Sequence, residues 1–188
     1  SSNPRNSAAN IRGLGAPFGL TNDGIEQGVG IYVDDVYYSR AASSTFDFLD
    51  VDQIEVLRGP QGTLYGRNAI GGTLNVISPR PTDQPYAEVR GIVENYGLTD
   101  LQVAASGPLT DDWAVRFSGR KLDQRDGYYH NVNPGMPSEG AKRNEWEYQF
   151  QVQGHVGENA DVWVRYRTLG WDNRGGPGAR ATHPGGDY

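Results

Sequence analysis

Residues 54–77 read IEVLRGPQGTLYGRNAIGGTLNVI, and the fold turns on how this stretch is read. Ile54, Val56 and Leu57 form a short apolar run that predicts a strand of a buried sheet. Gly59-Pro60 ends it, because proline gives no N–H to a ladder and glycine tolerates a sharp turn. Residues 61–65 have the length of one helical turn. Gly66, Gly71 and Gly72 surround Arg67 and Asn68, which predicts a tight turn with polar side chains at its tip. Residues 73–77 are rich in β-branched side chains and predict a second strand. Pro79 and Pro81 close the unit. Residues 66–73 also have the spacing of a phosphate-binding loop. Gly72, however, stands where that loop needs its lysine, and a strand pattern follows where a helix should begin. A structural turn is the better reading.

The stretch closely resembles the plug domain of TonB-dependent outer-membrane receptors. Arg58-Gly59-Pro60, Leu64-Tyr65-Gly66, Ala69-Ile70-Gly71-Gly72 and Leu74-Asn75-Val76-Ile77 match that family's plug signature in order and spacing. Ile11-Arg12-Gly13 resembles the family's IRG strand. Residues 30–36, GIYVDDV, resemble its VxVDGV strand, with Asp35 where glycine is usual. The resemblance covers about residues 10–81 and implies an α+β plug domain, a small mixed sheet with short helices.

Composition narrows the alternatives without choosing among them. The 188 residues hold no cysteine, so neither a disulfide framework nor a thiolate metal site is available. The net charge is −6 and no basic block occurs, which argues against nucleic acid as a partner. No run approaches the ~20 apolar residues of a membrane helix, and no signal-peptide pattern opens the chain. A polar average with 26 glycines and 11 tyrosines suits a secreted β-rich protein. It suits a membrane β-barrel equally, because half of each barrel strand faces a polar lumen.

Before the signature, residues 11–15 predict a short strand, 16–27 a turn-rich loop, and 29–37 a longer strand. Asp34-Asp35 suggests paired carboxylates, but strand neighbours point to opposite faces and cannot share a proton or a metal, so a turn role is expected. Residues 38–45 read as a second loop and 46–49 as a helical turn.

After Pro81 the pattern changes to long, strictly alternating strands. In EWEYQFQVQGHV, residues 145–156, Trp146, Tyr148, Phe150, Val152, Gly154 and Val156 alternate with Glu145, Glu147, Gln149, Gln151, Gln153 and His155. Unbroken period two means that one face meets something apolar and the other something wet. Twelve residues is about twice the mean soluble strand, and a tilted strand crosses a bilayer in about 9–11. Residues 87–94, 101–106, 113–120 and 162–167 repeat the alternation. Trp113, Trp146 and Tyr166 read as an interfacial girdle. Connections are short at 107–112 and 157–160 and long at 123–143, the asymmetry of a transmembrane barrel; the short Asn95-Tyr96-Gly97 link is an exception. A soluble β-sandwich would also alternate, with its oily faces inward.

The expected organisation is a plug over residues 1–81 and about five antiparallel transmembrane strands over 82–188, an incomplete barrel. Family receptors close about 22 strands around their plug. The resemblance therefore implies a piece of a larger receptor, one that does not insert by itself as a pore. It further implies a Gram-negative outer-membrane location and outer-membrane lipid around the strands. Uptake of a scarce small-molecule nutrient would be driven by the TonB–ExbB–ExbD complex, whose contact segment is not visible here. No catalytic residue, metal or cofactor is expected.

By the same resemblance the plug's outward apices fall at Phe18 and Asn22, at Tyr38 and Arg40, and at Arg67 and Asn68. Arginine with aromatics suits an anionic, partly aromatic ligand such as a ferric siderophore; cobalamin and glycans use the same architecture. Arg58 is the family's plug–barrel lock, with Glu55 as a local partner only if the turn begins early. Tyr128, Tyr129 and His130 are outer-loop candidates. A passive porin or adhesin, and a soluble carbohydrate-binding β-protein, are the alternatives of other classes.

Overall fold

The computed structural model describes residues 9–15, 27–38, 49–130, 139–140, 142–157 and 159–172. The chain divides into two units, Asn3–Arg80 and Pro81–Tyr188.

In the first unit, β1 (Asn10–Ile11) and β2 (Leu14–Gly15) form a hairpin. The single strand expected over 11–15 is interrupted by Arg12 and Gly13, whose φ values of 53° and 82° make a two-residue turn matching the twist of its strands. A mixed sheet follows, built from β3 (Val29–Val33), β4 (Val36–Tyr37), β5 (Gln53–Arg58) and β6 (Gly72–Ile77) in the order β4-β3-β6-β5. β3 and β6 run parallel, Val29 opposite Gly72 and Val33 opposite Val76; the outer pairings are antiparallel. Val29, Ile31, Val33 and Val76 form the buried core of this sheet. One helical turn, α1 (Gly62–Tyr65), lies between β5 and β6, as the sequence predicts.

Two expectations change here. The strand expected over 29–37 breaks at Asp34 and Asp35, both with positive φ (49° and 64°), and folds back as β4. Aspartate tolerates this conformation, which explains how Asp35 replaces the usual glycine. The two carboxylates tie the turn down. Asp34 accepts from the Ser78 N–H at 2.8 Å and the Ser78 hydroxyl at 3.0 Å, and Asp35 accepts from Asn75 Nδ2 at 3.1 Å. β5, expected in a buried sheet, is instead an edge strand with Ile54 and Val56 48% and 51% exposed.

Gly72 explains the paired glycines of the signature. Its φ is +140°, and a Cβ there would stand 2.2 Å from the Leu57 carbonyl oxygen and 2.9 Å from Ile11 Cδ1. The strand entry is tight enough that only glycine lets β5, β6 and the β1–β2 hairpin meet.

The second unit is an antiparallel meander. β7 (Tyr86–Glu94), β8 (Leu98–Pro108), β9 (Trp113–Gln124), β12 (Asn144–Val156) and β13 (Ala160–Trp171) lie in the order β13-β12-β9-β8-β7. Between β9 and β12, β10 (Tyr129–His130) pairs with β11 (Glu139–Gly140). The five long strands form an open sheet, not a closed barrel.

The register places each apolar set predicted from the sequence on one face. Phe150 stands opposite Phe117 on one side and Tyr166 on the other; Val152 stands between Val115 and Val164, and Val103 opposite Val89. That face is the exposed one. Phe150 is 46% exposed, and Tyr148, Val164, Tyr166, Val89 and Val93 are exposed with it. The opposite face is polar and, in the inner strands, largely buried: Gln151 and Ser118 are 0% exposed, and Gln149, Glu147, Arg116 and Asp100 are buried, whereas Glu88, Arg90 and Glu94 of β7 are exposed. A water-soluble sandwich has the reverse arrangement, oily faces inward.

Trp113 lies over Gly154 and Trp146 over Gly170 on the apolar face. On β12 their levels, Gly154 and Trp146, are eight residues apart, which is about 27 Å along the strand. At the ~40° tilt of a barrel strand this projects to roughly 20 Å, close to the ~25 Å apolar band of an outer-membrane barrel. Tyr166 does not belong to the girdle, since it stands opposite Phe150 at mid-strand.

Candidate functional site

The sheet of the first unit gathers its polar tip at one end. β6 begins beside Val29, so the 66–71 turn before it sits at the amino-terminal end of β3. β4 runs antiparallel to β3, and the Tyr38 N–H donates to the Ile31 carbonyl at 2.8 Å, so the chain heads to that same end after Tyr38. Parallel pairing of β3 with β6, joined to a back-folded β4, is thus what brings Tyr37, Arg67 and Asn68 together. The Asp34–Ser78 clasp lies at the other end.

At the tip, Gly59 N–H donates to the Gly71 carbonyl (3.1 Å), Gln61 N–H to Ala69 (2.8 Å), and Gly71 N–H to Gly28 (2.8 Å). These bonds close the turn at its base. Gly59 and Gly66 have φ of 90° and 78°, and Pro60 is exposed. Asn68 is left-handed at φ 61°, a conformation asparagine tolerates. Its Nδ2 donates to the Tyr37 hydroxyl at 2.5 Å. The exposed Arg67 places its guanidinium carbon 5.7 Å from the centre of the Tyr37 ring, within cation–π range.

Three tyrosines continue inward from the tip. The Tyr37 and Tyr32 rings lie 5.4 Å apart, Tyr32 and Tyr65 4.8 Å apart, and the Tyr32 hydroxyl donates to the Tyr65 carbonyl at 2.7 Å. Burial raises the Tyr32 phenol above its ordinary pKa; Tyr37 and Tyr65 push the same way and Arg67 opposes them. It therefore remains a neutral donor at physiological pH. A cationic group over a tilted aromatic stack can hold an anion by charge and an aromatic ring by contact.

Of the residues singled out from the sequence, Arg67 and Asn68 meet Tyr37 at this end, and Tyr38 is held by its backbone to Ile31 of β3. Phe18, Asn22 and Arg40 lie outside the described residues. Tyr65, Gly66, Gly71 and Gly72 build the turn rather than its surface. Arg58 and Glu55 do not meet: β5 continues through Arg58, so the two point to opposite faces, and Glu55 accepts from Gln53 Nε2 at 2.9 Å. Tyr37 was missed. Its signal is its place two residues after the Asp-Asp turn, where β4 must return along β3.

In the second unit the buried polar face carries cross-strand ion pairs. Arg120 forks onto Asp100, Nε to Oδ1 at 2.9 Å and Nη2 to Oδ2 at 2.7 Å, with side chains 13% and 5% exposed. Arg167 Nε reaches Glu147 at 2.6 Å. Buried charges persist only when paired in this way. The short Asn95–Gly97 link also has its reason. The Arg125 and Asp126 N–H groups donate to the Gly97 and Tyr96 carbonyls at 3.3 and 3.0 Å, and the Tyr96 ring meets Tyr128 edge-on at 4.6 Å. The start of the long connection therefore covers the short one. For Tyr129 and His130 the backbone pairing with β11 is described. Among the described residues no three His, Asp or Glu side chains gather as a metal site.

Residues 1–73 match the family model of the TonB-dependent receptor plug domain. The chain is 34% identical over 106 residues to the pesticin receptor of Yersinia pestis, covering 56% of this chain and 15% of that protein. It is 27% identical over 139 residues to the vitamin B12 transporter BtuB of Vibrio cholerae, covering 71% of this chain and 22% of that one. In structure it resembles the ferric yersiniabactin uptake receptor FyuA from Yersinia pestis. The TM-score is 0.72 at 25% identity, over 90% of this chain and 26% of that one. The chain thus spans about a quarter or less of the length of these relatives. With their signature turn and mixed sheet, residues 1–73 belong to the TonB-dependent receptor plug domains, and the chain is similar over most of its length to TonB-dependent receptors, which are Gram-negative outer-membrane proteins and transporters rather than enzymes.

Proposed function

We propose that the chain forms the plug, residues 1–81, and barrel strands, residues 82–188, of a receptor that takes up an anionic ferric chelate, a siderophore. The observation that carries this reading is the convergence of Arg67, Asn68 and Tyr37 at one end of the plug sheet. A cation with aromatic neighbours suits a negatively charged, partly aromatic iron chelate. The relatives support the class, since one is by name a ferric yersiniabactin uptake receptor. A vitamin B12 transporter among them makes cobalamin the second reading, with glycans after it.

Phe18, Asn22, Tyr38, Arg40, Arg67 and Asn68 contact the ligand in this account. Arg58 is the plug–barrel lock that the resemblance implies, and Glu55, on the opposite face of β5, is not its local partner. The short connections at 109–112 and 157–159 face the periplasm, and the long one at 125–143 faces outward. Energy comes from the TonB–ExbB–ExbD complex acting on the plug's amino-terminal side.

The test is growth and radioiron uptake by a deletion strain carrying the full-length gene, on a panel of ferric chelates, cobalamin and glycans, with and without the TonB pathway. The expected result is uptake of one anionic ferric chelate that stops when TonB is removed. Uptake that continues without TonB would favour a passive channel, and TonB-dependent uptake of cobalamin or a glycan alone would replace the ligand.

A further inference from the structure

We infer that Tyr37 is a positioning residue for ligand capture, setting the Arg67 guanidinium and the Asn68 carboxamide toward an anionic chelate. The inference rests on the plug-tip reading above and adds a residue and a mechanism to it. Three observations meet at this side chain. Its hydroxyl accepts from Asn68 Nδ2 at 2.5 Å, its ring lies beneath the Arg67 guanidinium at 5.7 Å, and that ring packs, tilted, on the buried Tyr32 at 5.4 Å.

Tyr32 cannot easily move. It is 5% exposed, its hydroxyl is held by the Tyr65 carbonyl, and its ring lies 4.8 Å from that of Tyr65. Tyr37 is therefore a half-buried ring backed by a fixed one. An exposed arginine on a turn has many rotamers, and each ligand it captures must bear the cost of choosing one. A ring beneath the guanidinium lowers that cost by holding the charge before the ligand arrives. The Asn68 bond does the same for the turn, because it fixes the left-handed residue next to Arg67. Tyr37 thus acts on charge recognition through Arg67 and touches neither iron nor chelate.

The test measures binding to the purified full-length receptor of a ferric tris-catecholate, a highly charged aromatic anion, and of a neutral ferric trihydroxamate. Tyr37→Leu is expected to weaken the anion by roughly tenfold, the loss of a partly buried cation–π contact. Tyr37→Phe, which keeps the ring, is expected to restore most of that and lose about threefold, the weight of one modest hydrogen bond. Any binding of the neutral chelate should change less than about twofold. In an Arg67→Ala background Tyr37→Leu should lose no more than the about threefold that Tyr37→Phe loses through Asn68, because the guanidinium its ring positions is gone. Equal weakening of both chelates, or an additive effect with Arg67→Ala, would mean that Tyr37 only supports the fold and would overturn the inference. If Arg67→Ala itself leaves anion binding unchanged, the plug-tip reading fails as well. If the unaltered receptor binds no tris-catecholate, the anion-positioning role falls, while TonB-dependent uptake of another chelate would leave the plug-tip reading standing.

Discussion

Replacing Gly72 by alanine is expected to unlock the plug sheet. At φ +140° a side chain is strained by about 1–3 kcal/mol whatever its surroundings. The added Cβ would also stand 2.2 Å from the Leu57 carbonyl oxygen, which belongs to backbone and cannot rotate aside. β5 must then leave β6, exposing ladder hydrogen bonds from Arg58 through Gln53. Together these effects amount to at least ~3 kcal/mol, or a loss of protection on the order of a hundredfold for amides of β5 and β6 in hydrogen exchange on the full-length receptor. Gly62→Ala is the control. It stands in α1 with nothing near its Cβ, and alanine there should be neutral or slightly stabilising. Wild-type protection in Gly72→Ala would show that the sheet closes in another way.

A lysine in place of Phe150 is expected to have the second large effect. Phe150 is four residues from Trp146 and four from Gly154, midway between the two tryptophan levels, with Phe117 and Tyr166 beside it. A cation on the lipid face at mid-bilayer costs about 2–4 kcal/mol. The same lysine at Gln153, on the polar face and half-buried, should cost less than ~1 kcal/mol, because that face is polar. The difference is read as the fraction of full-length receptor that assembles in the outer membrane, and equal losses at both positions would contradict it.

Strand period was legible because a barrel strand repeats one pattern over many residues. Trp146 to Val156 and Trp113 to Gly119 showed their faces without help, and the register then placed those faces together. The two hairpin turns were legible only in part: a turn role was expected for Asp34-Asp35, but not that the strand folds back there, and Arg12-Gly13 was read as part of a strand. Arg12-Gly13 and Asp34-Asp35 sit inside apolar runs, and only their left-handed backbone reveals the reversal. The exposure of Ile54 and Val56 was hidden for a related reason: an apolar strand reads the same at the edge of a sheet as at its centre. Asp100–Arg120 and Glu147–Arg167 depend on register, which spacing along one strand does not supply. At the plug tip, Arg67 and Asn68 were visible as polar residues between glycines. The role of Tyr37 became visible only when β4 was seen to fold back along β3.

The most direct measurement is a spin-label scan along β12, one cysteine at a time from Trp146 to Val152, in the full-length receptor in bilayers. These 188 residues contain no cysteine of their own. Labels at 146, 148, 150 and 152 should collide freely with oxygen dissolved in lipid, and labels at 147, 149 and 151 should be shielded from it, giving an unbroken period of two. Lipid contact at 147, 149 and 151 in place of their neighbours, or no alternation at all, would show that the oily face of this sheet does not meet the membrane.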